Sequence, residues 1–563
     1  MATIHTLHSD QASLVFELAD DGTLAWRHCG ARVDPVGLVP LASARGPASF
    51  SLDCDVPPMS VLPSGIGSFG PPALALRSMD GAAQTLAHGS FEVIADKGSL
   101  EFTATDQASG ACLRQEITVL QGGSFRFVTE VRNNGSAPLV VDSLASVTLP
   151  LPAQSRQLVS WRGRHNAELV ECVEAMPHHR WERVTRRGIS GHGGPPGVYV
   201  LGEDAGWHSG LAIAAQLVWS GDSSLAVERD DEGFWTFAAC ASLAGGEIIL
   251  EPGQTYRAPE AFVAISSQGR NGAMAQQHAA VRGLLNWPNG TMRPRPVHLN
   301  SWEACYFDHD HERIAQLAKA GAEIGIERFV LDDGWFKGRR DDTAGLGDWE
   351  VDRAIYPDGL APLAQEVEQL GLEFGLWVEP EMINPDSDLY RAHPDWALAQ
   401  HGTAGPTARN QLVLDMRKPE VRDHLFERLD AILREVPIGY LKWDHNRDHT
   451  PSGGSAQTLG TYDLLQRLRA AHPAVEIEGC AGGGGRSDAG MAQYVHRFWT
   501  SDTIDGVSRV TMQRGFLAFL PPEIMGSHVG ASPAHPTGRS QSKALRCAMA
   551  ATGHFGVELD PAS

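Results

Sequence analysis

The chain lacks the cysteine spacings that build metal or redox sites. Its eight cysteines stand at Cys29, Cys54, Cys112, Cys172, Cys240, Cys305, Cys480 and Cys547. No two form a CxxC pair, which argues against a zinc-structured or disulfide-stapled fold. Runs of 18 apolar residues are absent, so no segment reads as a membrane-spanning helix. The start, MATIHTLHSD, has neither the basic opening nor the apolar stretch of a secretory signal, and the cytoplasm is the expected location. Positive charge is also short, with 46 Lys and Arg against 68 Asp and Glu, a net charge of −22. A nucleic-acid backbone or an anionic membrane is therefore a poor partner, and a neutral or cationic ligand a better one. What is present is apolar bulk. Hydrophobic residues make up 42% of the 563, including 14 Trp and 19 Phe, enough for large cores and incompatible with wholesale disorder. At about 150 residues per domain the length suggests three or four domains, or two if they are barrels and large sandwiches.

Residues 1–290 read as short alternating segments separated by turn signals. Ser99–Thr105, Ser124–Val131 and Leu139–Leu149 carry the period-2 pattern of half-buried strands, and NNGS at 133–136 is a turn cluster. Helical periodicity is nearly absent before Met274–Leu285. These features predict a large antiparallel β-sandwich, built of two stacked sheets.

The pattern changes after the Pro/Gly-rich stretch Trp287–Arg295. Eight strand-like segments follow: Pro296–Trp302, Arg328–Leu331, Phe374–Val378, Ile438–Trp443, Glu476–Cys480, Arg497–Thr500, Glu523–Val529 and His554–Leu559. Amphipathic stretches lie between them, clearest at Pro419–Val436, where Val421, Leu425, Leu429, Ile432 and Val436 recur on one face. Eight β-then-α repeats predict a (β/α)8 barrel over 296–563. No Gly-rich phosphate loop opens a helix, which disfavours a doubly wound nucleotide-binding sheet.

In such a barrel the chemistry collects where strands end and βα loops begin. The predicted strand ends are rich in carboxylates: Trp302-Glu303, Asp332-Asp333-Gly334-Trp335, Trp377-Val378-Glu379-Pro380-Glu381, Lys442-Trp443-Asp444-His445-Asn446-Arg447, Cys480 with four glycines beyond it, and Trp499-Thr500-Ser501-Asp502. Two carboxylates on separate strands of one rim, with aromatic rings around them, are what glycoside cleavage requires. Trp rings offer flat faces to the C–H side of a sugar, and further carboxylates and a lysine offer hydrogen bonds to its hydroxyls. No cofactor is needed.

Other polar clusters have plainer readings. Asp308-His309-Asp310-His311 has metal-ligand residue types, but alternation before a helix reads better as capping, and no metal is assigned. Asp341-Asp342 and the basic group Arg180, Arg183, Arg186 and Arg187 read as solvated surface. The run Gly482–Gly485 lacks the Lys-Ser/Thr of a phosphate loop and suits close approach of a ligand to backbone.

Taken in order, NSWEACYFD, FVLDDGWF, LGDWEVD, LWVEPEMINPDSDLYRAHPDW, YLKWDHNR, CAGGGGRSDAGM, WTSDTIDGVSR and HFGVELD resemble the α-galactosidases of glycoside hydrolase family 36. The resemblance runs over nearly the whole chain and implies a retaining double displacement on small galactosides of the melibiose and raffinose type. Asp444 would be the nucleophile and Asp502 the acid/base. The resemblance further implies that Asp332 and Asp333 grip the 4- and 6-hydroxyls of galactose, that Trp302 and Trp377 wall the sugar, that Lys442 and Arg409 add donors, and that Cys480 and Gly483 lie near the 2-hydroxyl.

Physical reasoning adds two expectations. Lys442, two residues before Asp444 on the same strand face, would keep the nucleophile ionised, and Asp502 would need a raised pKa to hold a proton. The chain departs from the family's pattern at Gly65–Pro71, where Ser68 and Gly70 replace an Asp and an Arg, and nearby Arg77 is the candidate substitute. The sequence given also stops after the eighth strand, without the closing helix and small C-terminal β-domain of the family. An α-N-acetylgalactosaminidase, a galactosyl transferase and a non-catalytic sugar-binding protein stay open as alternatives. Dimers and tetramers occur among similar proteins, which leaves a homo-oligomer open as well.

Overall fold

Alternation of apolar and polar residues decides the first half of the chain. In Ala111–Val119, Leu113, Gln115 and Ile117 are buried while the residues between them are half-buried, as a strand with one wet face requires. The computed structural model describes residues 2–34, 58–61, 63–65, 70, 72–84, 86, 91–230 and 233–562. By its internal contacts the chain divides into two compact units. The first holds Met1–Ser160, Cys172–Arg186 and Pro196–Gly283, and the second holds Trp161–Glu171, Arg187–Pro195 and Leu284–Ser563. The sequence alone suggests a single cut near 290.

The first unit is antiparallel sheet. One sheet runs in the order Gly197–Gly202, Ala212–Leu217, Ala261–Ser266, Phe125–Asn133, Ala111–Val119, Ser99–Thr105 and Phe91–Asp96. Another runs Arg180–Val184, Ser223–Arg229, Trp235–Ala241, Leu139–Leu151 and Leu74–Ser78. The long strand Leu139–Leu151 changes register twice, between Val141 and Ser143 and between Ala145 and Val147, which lets one strand serve two pairings.

The helix predicted from Met274 instead spans Gly269–Arg282. Its first turn, Gly-Arg-Asn-Gly, carries no apolar signal. Its buried face mixes Ala273, Ala280 and Val281 with glutamines: Gln276 bonds both the N–H and the C=O of Ile265 (3.1 and 3.0 Å), and Gln277 donates to the carbonyl of Ala214 (2.8 Å). The departure at Gly65–Pro71 lies mostly outside the described residues. Arg77 is held within the first unit by an ion pair to Asp142 at 2.9 Å.

In the second unit eight parallel strands close into a barrel: β1 His298–Asn300, β2 Arg328–Leu331, β3 Glu373–Val378, β4 Tyr440–Trp443, β5 Glu476–Gly479, β6 Arg497–Trp499, β7 Met525–Gly530 and β8 His554–Glu558. The segments match those read from the sequence, most of them with ends moved by one or two residues. β1 is short because Pro296 has no N–H to donate and because Trp302 already opens a helical turn, Trp302–Cys305. β7 begins later than expected because Pro522–Ile524 forms a 3-10 turn. Helices follow most strands, but after β5 there is only Ala489–Ala492, capped by Asp488.

The lower end of the barrel interior is ionic. Arg328, fully buried, donates to Glu373 (2.7 Å) and Glu476 (3.0 Å), and Glu476 also receives Arg293 (3.1 Å) and Arg295 (3.2 Å). Above it lie Glu478, paired with Arg497 and hydrogen-bonded by Tyr440, and the touching rings of His298 and His528. The other clusters read from the sequence are also tied down. Asp310 caps the helix His311–Glu323 through the N–H groups of Glu312 and Arg313. Asp342 is partly exposed, as a solvated loop face should be, while it accepts from Asn410 (3.0 Å) and faces Arg409 (3.8 Å). Arg180 pairs with Glu228 and Arg187 with Asp448. No helix of the described residues is long and apolar enough to cross a membrane.

Candidate active site

The ends of all eight barrel strands, with the loops that follow them, open onto a cavity of about 680 Å³. Of the residues singled out from the sequence, Trp302, Asp332, Asp333, Trp377, Arg409, Lys442, Asp444 and Asp502 line it. Cys480 and Gly483 do not. Cys480 is buried beside Trp499 and Ile504, and burial pushes its thiol well above the usual value. Gly483, at φ +76, has no room for a side chain: a Cβ there would stand 2.8 Å from both the Asp502 N–H nitrogen and the Glu168 carboxylate. Its neighbours Ala481 and Gly482 line the cavity instead, so the glycine run serves packing behind the wall as well as access to it.

Asp444 follows directly on β4. Its Oδ2 accepts from the indole of Trp377 (3.1 Å) and the amide of Asn446 (2.7 Å), and its Oδ1 from the backbone N–H of His445 (2.8 Å). These donors fix the carboxylate's plane. Lys442 was expected to serve Asp444, but its Nζ reaches across the barrel to Asp332 Oδ2 (2.8 Å). An inward side chain in the middle of β4 crosses the lumen, whereas Asp444 sits past the strand's end. Beneath Asp444, fully buried Glu379 takes hydrogen bonds on one oxygen only, from Gln411 (2.7 Å) and the N–H of Asn446 (2.5 Å). Burial, with the charge of Asp444, pushes it up to about 7.

Asp332 accepts also from Asn300 (2.6 Å). Asp333 is gripped on both oxygens by Arg339 at 2.8 and 2.9 Å, a bidentate pair that sets its orientation. Burial still outweighs Arg339 and raises the Asp333 carboxyl above its usual value. Arg409 stands in left-handed backbone (φ +49), as does Asn410 (φ +56), and lies 3.9 Å from Asp333.

Asp502 follows β6. Its Oδ1 accepts from the indole of Trp499 (3.0 Å), and its Oδ2 lies 2.9 Å from Nε2 of His165. The sequence reading required a raised carboxyl here, and the structure corrects this. Burial does push Asp502 up, but the hydrogen bond and charge of His165, with Lys442 and Arg409 behind it, leave it below its usual value. His165 is correspondingly raised, first by that hydrogen bond.

Sequence reasoning missed several cavity residues. Glu303 and Asn446 stand at strand ends already noticed, but neither was given a role. Arg339 follows DDGW closely and could have been sought as its partner. His165, His192, Tyr306, His535 and Glu558 also line the cavity. The first two come from segments that fall, in sequence, among the strands of the first half and carry no periodic or motif signal. Among the described residues no group of three or more His, Cys, Asp or Glu side chains is placed to hold a metal ion.

Residues 22–251 match the glycosyl hydrolase family 36 N-terminal domain, and residues 255–563 match the melibiase family. The chain belongs to glycoside hydrolase family 36. Within this family it is 37% identical to an α-galactosidase of Escherichia coli, over 91% of this chain and 73% of that enzyme. It is 40% identical to α-galactosidase AgaA of Geobacillus stearothermophilus, over 67% of this chain and 53% of that enzyme. The crystal structure of AgaA superposes with a TM-score of 0.92 at 32% identity, covering 99% of this chain and 83% of that one. AgaA variants have also been solved with stachyose and with raffinose bound.

Proposed function

We propose that this family 36 chain hydrolyses terminal α-linked galactose from small oligosaccharides with retention at the anomeric carbon, Asp444 acting as nucleophile and Asp502 as acid/base. The observation that carries the reading is that these two carboxylates, from the ends of β4 and β6, face one cavity whose other wall holds Asp332, Asp333, Lys442 and Arg409. The raffinose and stachyose complexes of AgaA support a substrate of this size and type.

Trp377, Asn446 and the His445 N–H orient Asp444 so that its remaining lone pair is directed at the anomeric carbon. As the new C–O bond forms, the bond to the leaving oxygen breaks, and Asp502 delivers the proton that oxygen needs. Water then enters, gives its proton to Asp502, and displaces Asp444 from the same carbon. Surrounding carboxylates favour the positive charge that builds on the sugar at both transition states. Asp332 and Asp333, the first shared between Asn300 and Lys442 and the second clamped by Arg339, form a rigid acceptor pair for the 4- and 6-hydroxyls, and an epimer lacking the axial hydroxyl leaves that pair unsatisfied. A reducing compartment such as the cytoplasm suits Cys29, Cys112, Cys240, Cys305, Cys480 and Cys547, which stand as thiols.

The test is Asp444→Asn. Turnover of an aryl α-galactoside is expected to fall by about a thousandfold or more, and undiminished turnover refutes the assignment. NMR of the first product should show α-galactose, and β-galactose appearing first would mean inversion.

A further inference from the structure

His165 belongs to no family motif quoted above, and it lies 337 residues from Asp502 in sequence. It sits at the tip of the hairpin joining Ser155–Arg164 to Ala167–Ala175. Three features hold that tip in place. Asn166 takes a left-handed conformation, φ +62. Glu168, wholly buried, accepts from the Asn166 N–H on one oxygen (3.1 Å) and from the hydroxyl of Ser501 on the other (2.7 Å), so it ties the hairpin to the residue next to Asp502. The Leu169 N–H donates to the His192 carbonyl (3.0 Å), and Gly163 allows the approach, since a Cβ there would fall 2.1 Å from that same carbonyl oxygen. A half-exposed imidazole is thus delivered to the acid/base carboxylate by a buried scaffold.

The two oxygens of Asp502 are treated unequally. Oδ1 is bonded by the Trp499 indole, which does not titrate, and Oδ2 by His165, which does. We propose that His165 is a positioning residue for the acid/base, sharing one proton with Asp502 and so keeping the acid loaded in more alkaline solution than a lone carboxyl would allow. The proposal rests on the reading of Asp502 given above.

A coupled pair gives up its last proton as a unit, at a pH set by both members. The groups facing His165 divide: Asp502 and Glu168 favour its charged form, and Arg409 opposes it. His192, whose ring centre is 6.1 Å away, bonds the carbonyl of Gly482 through Nε2 (2.9 Å), and burial holds it below the usual histidine value. Asp502 additionally feels Lys442 and Arg409, and its charge adds to the burial that raises Glu303. In the first half-reaction the proton on Nε2 passes to Asp502 Oδ2, leaving neutral imidazole. It then passes from Oδ2 to the glycosidic oxygen as that oxygen takes the electron pair of the breaking bond. In the second half-reaction the proton leaving water returns to the pair.

His165→Gln keeps a hydrogen-bond donor but has no titratable proton, and His165→Ala removes both. The basic limb of the kcat/KM profile for melibiose is expected to move to lower pH by about one unit in each variant. The profile for a dinitrophenyl α-galactoside, whose leaving group departs unprotonated, should keep its basic limb. A uniform drop in rate with the melibiose limb unmoved in either variant overturns the proposal, because a merely structural role scales the profile without shifting it. Asp502→Ala separates the two readings: it should abolish melibiose turnover while azide restores turnover of the dinitrophenyl substrate. If it does not, the acid/base assignment itself fails. If it does and the limb still stays put, only the role of His165 fails.

Discussion

The two ends of the barrel interior are both packed with buried charge, and they differ in whether that charge is cancelled. At the lower end Arg328, Arg293, Arg295 and Arg497 meet Glu373, Glu476 and Glu478 in direct ion pairs. Burial alone would raise Glu476, but the arginines outweigh it and hold the carboxyl at about 2. At the upper end Glu303, Asp332, Asp333, Asp444, Asp448, Asp502 and Glu558 surround the cavity, outnumbering the fixed cations of its lining, Lys442, Arg409 and Arg447. There burial wins at Asp333, as described above, and at two further positions. It pushes Glu303, with help from the charge of Asp502, up to about 8, and it raises Glu558 well above the carboxylate range. The lower end is arranged to hold the barrel together, whereas the upper end keeps a surplus of negative charge that a neutral sugar tolerates and a cationic transition state exploits.

The sharpest way to break this contrast is Lys442→Met. It strips Asp332 of its buried cation (2.8 Å) and should lower kcat/KM for α-galactosides by about 10²–10³-fold, measured by steady-state kinetics. Next is Arg328→Met at the other end, which leaves Glu476 and Glu373 short of a partner and should cost about 3–5 kcal/mol in denaturant unfolding, with KM unchanged.

The same pair of ends predicts opposite pH responses. Glu476 is depressed in the fold, so its contribution is present above the unfolded carboxyl value of about 4.3 and is lost as pH falls towards 2. Arg328→Met should flatten that acid limb. Glu303 is raised, so the folded state keeps a proton that the unfolded chain has released, and stability falls as pH rises from about 4.3 towards 8. Glu303→Gln should remove that decline, a smaller effect visible in thermal unfolding at pH 5 and pH 8.5.

The contrast also explains what the sequence disclosed. Strand positions and the carboxylates closing β2, β4 and β6 were legible, because alternation and motif order both lie along the chain. What a side chain reaches across the lumen was not. Lys442 was placed correctly on β4 and given the wrong partner, since strand spacing tells which face a residue takes but not what stands opposite in a closed barrel. Gly483 was assigned to the sugar because close approach to a ligand and close approach to Glu168 leave the same mark in a sequence. Asp502 was expected to be raised because an acid/base must hold a proton, and its contact with His165 left no mark in the sequence.

The interleaving of the two units has a practical corollary for anyone dissecting this enzyme. Trp161–Glu171 and Arg187–Pro195 count with the barrel, so a gene fragment beginning at Leu284 would encode all eight staves and still omit one wall of the cavity, with His165, Glu168 and His192 left on the discarded piece. Chimeras that exchange front halves between family members would exchange part of the acid/base environment with them.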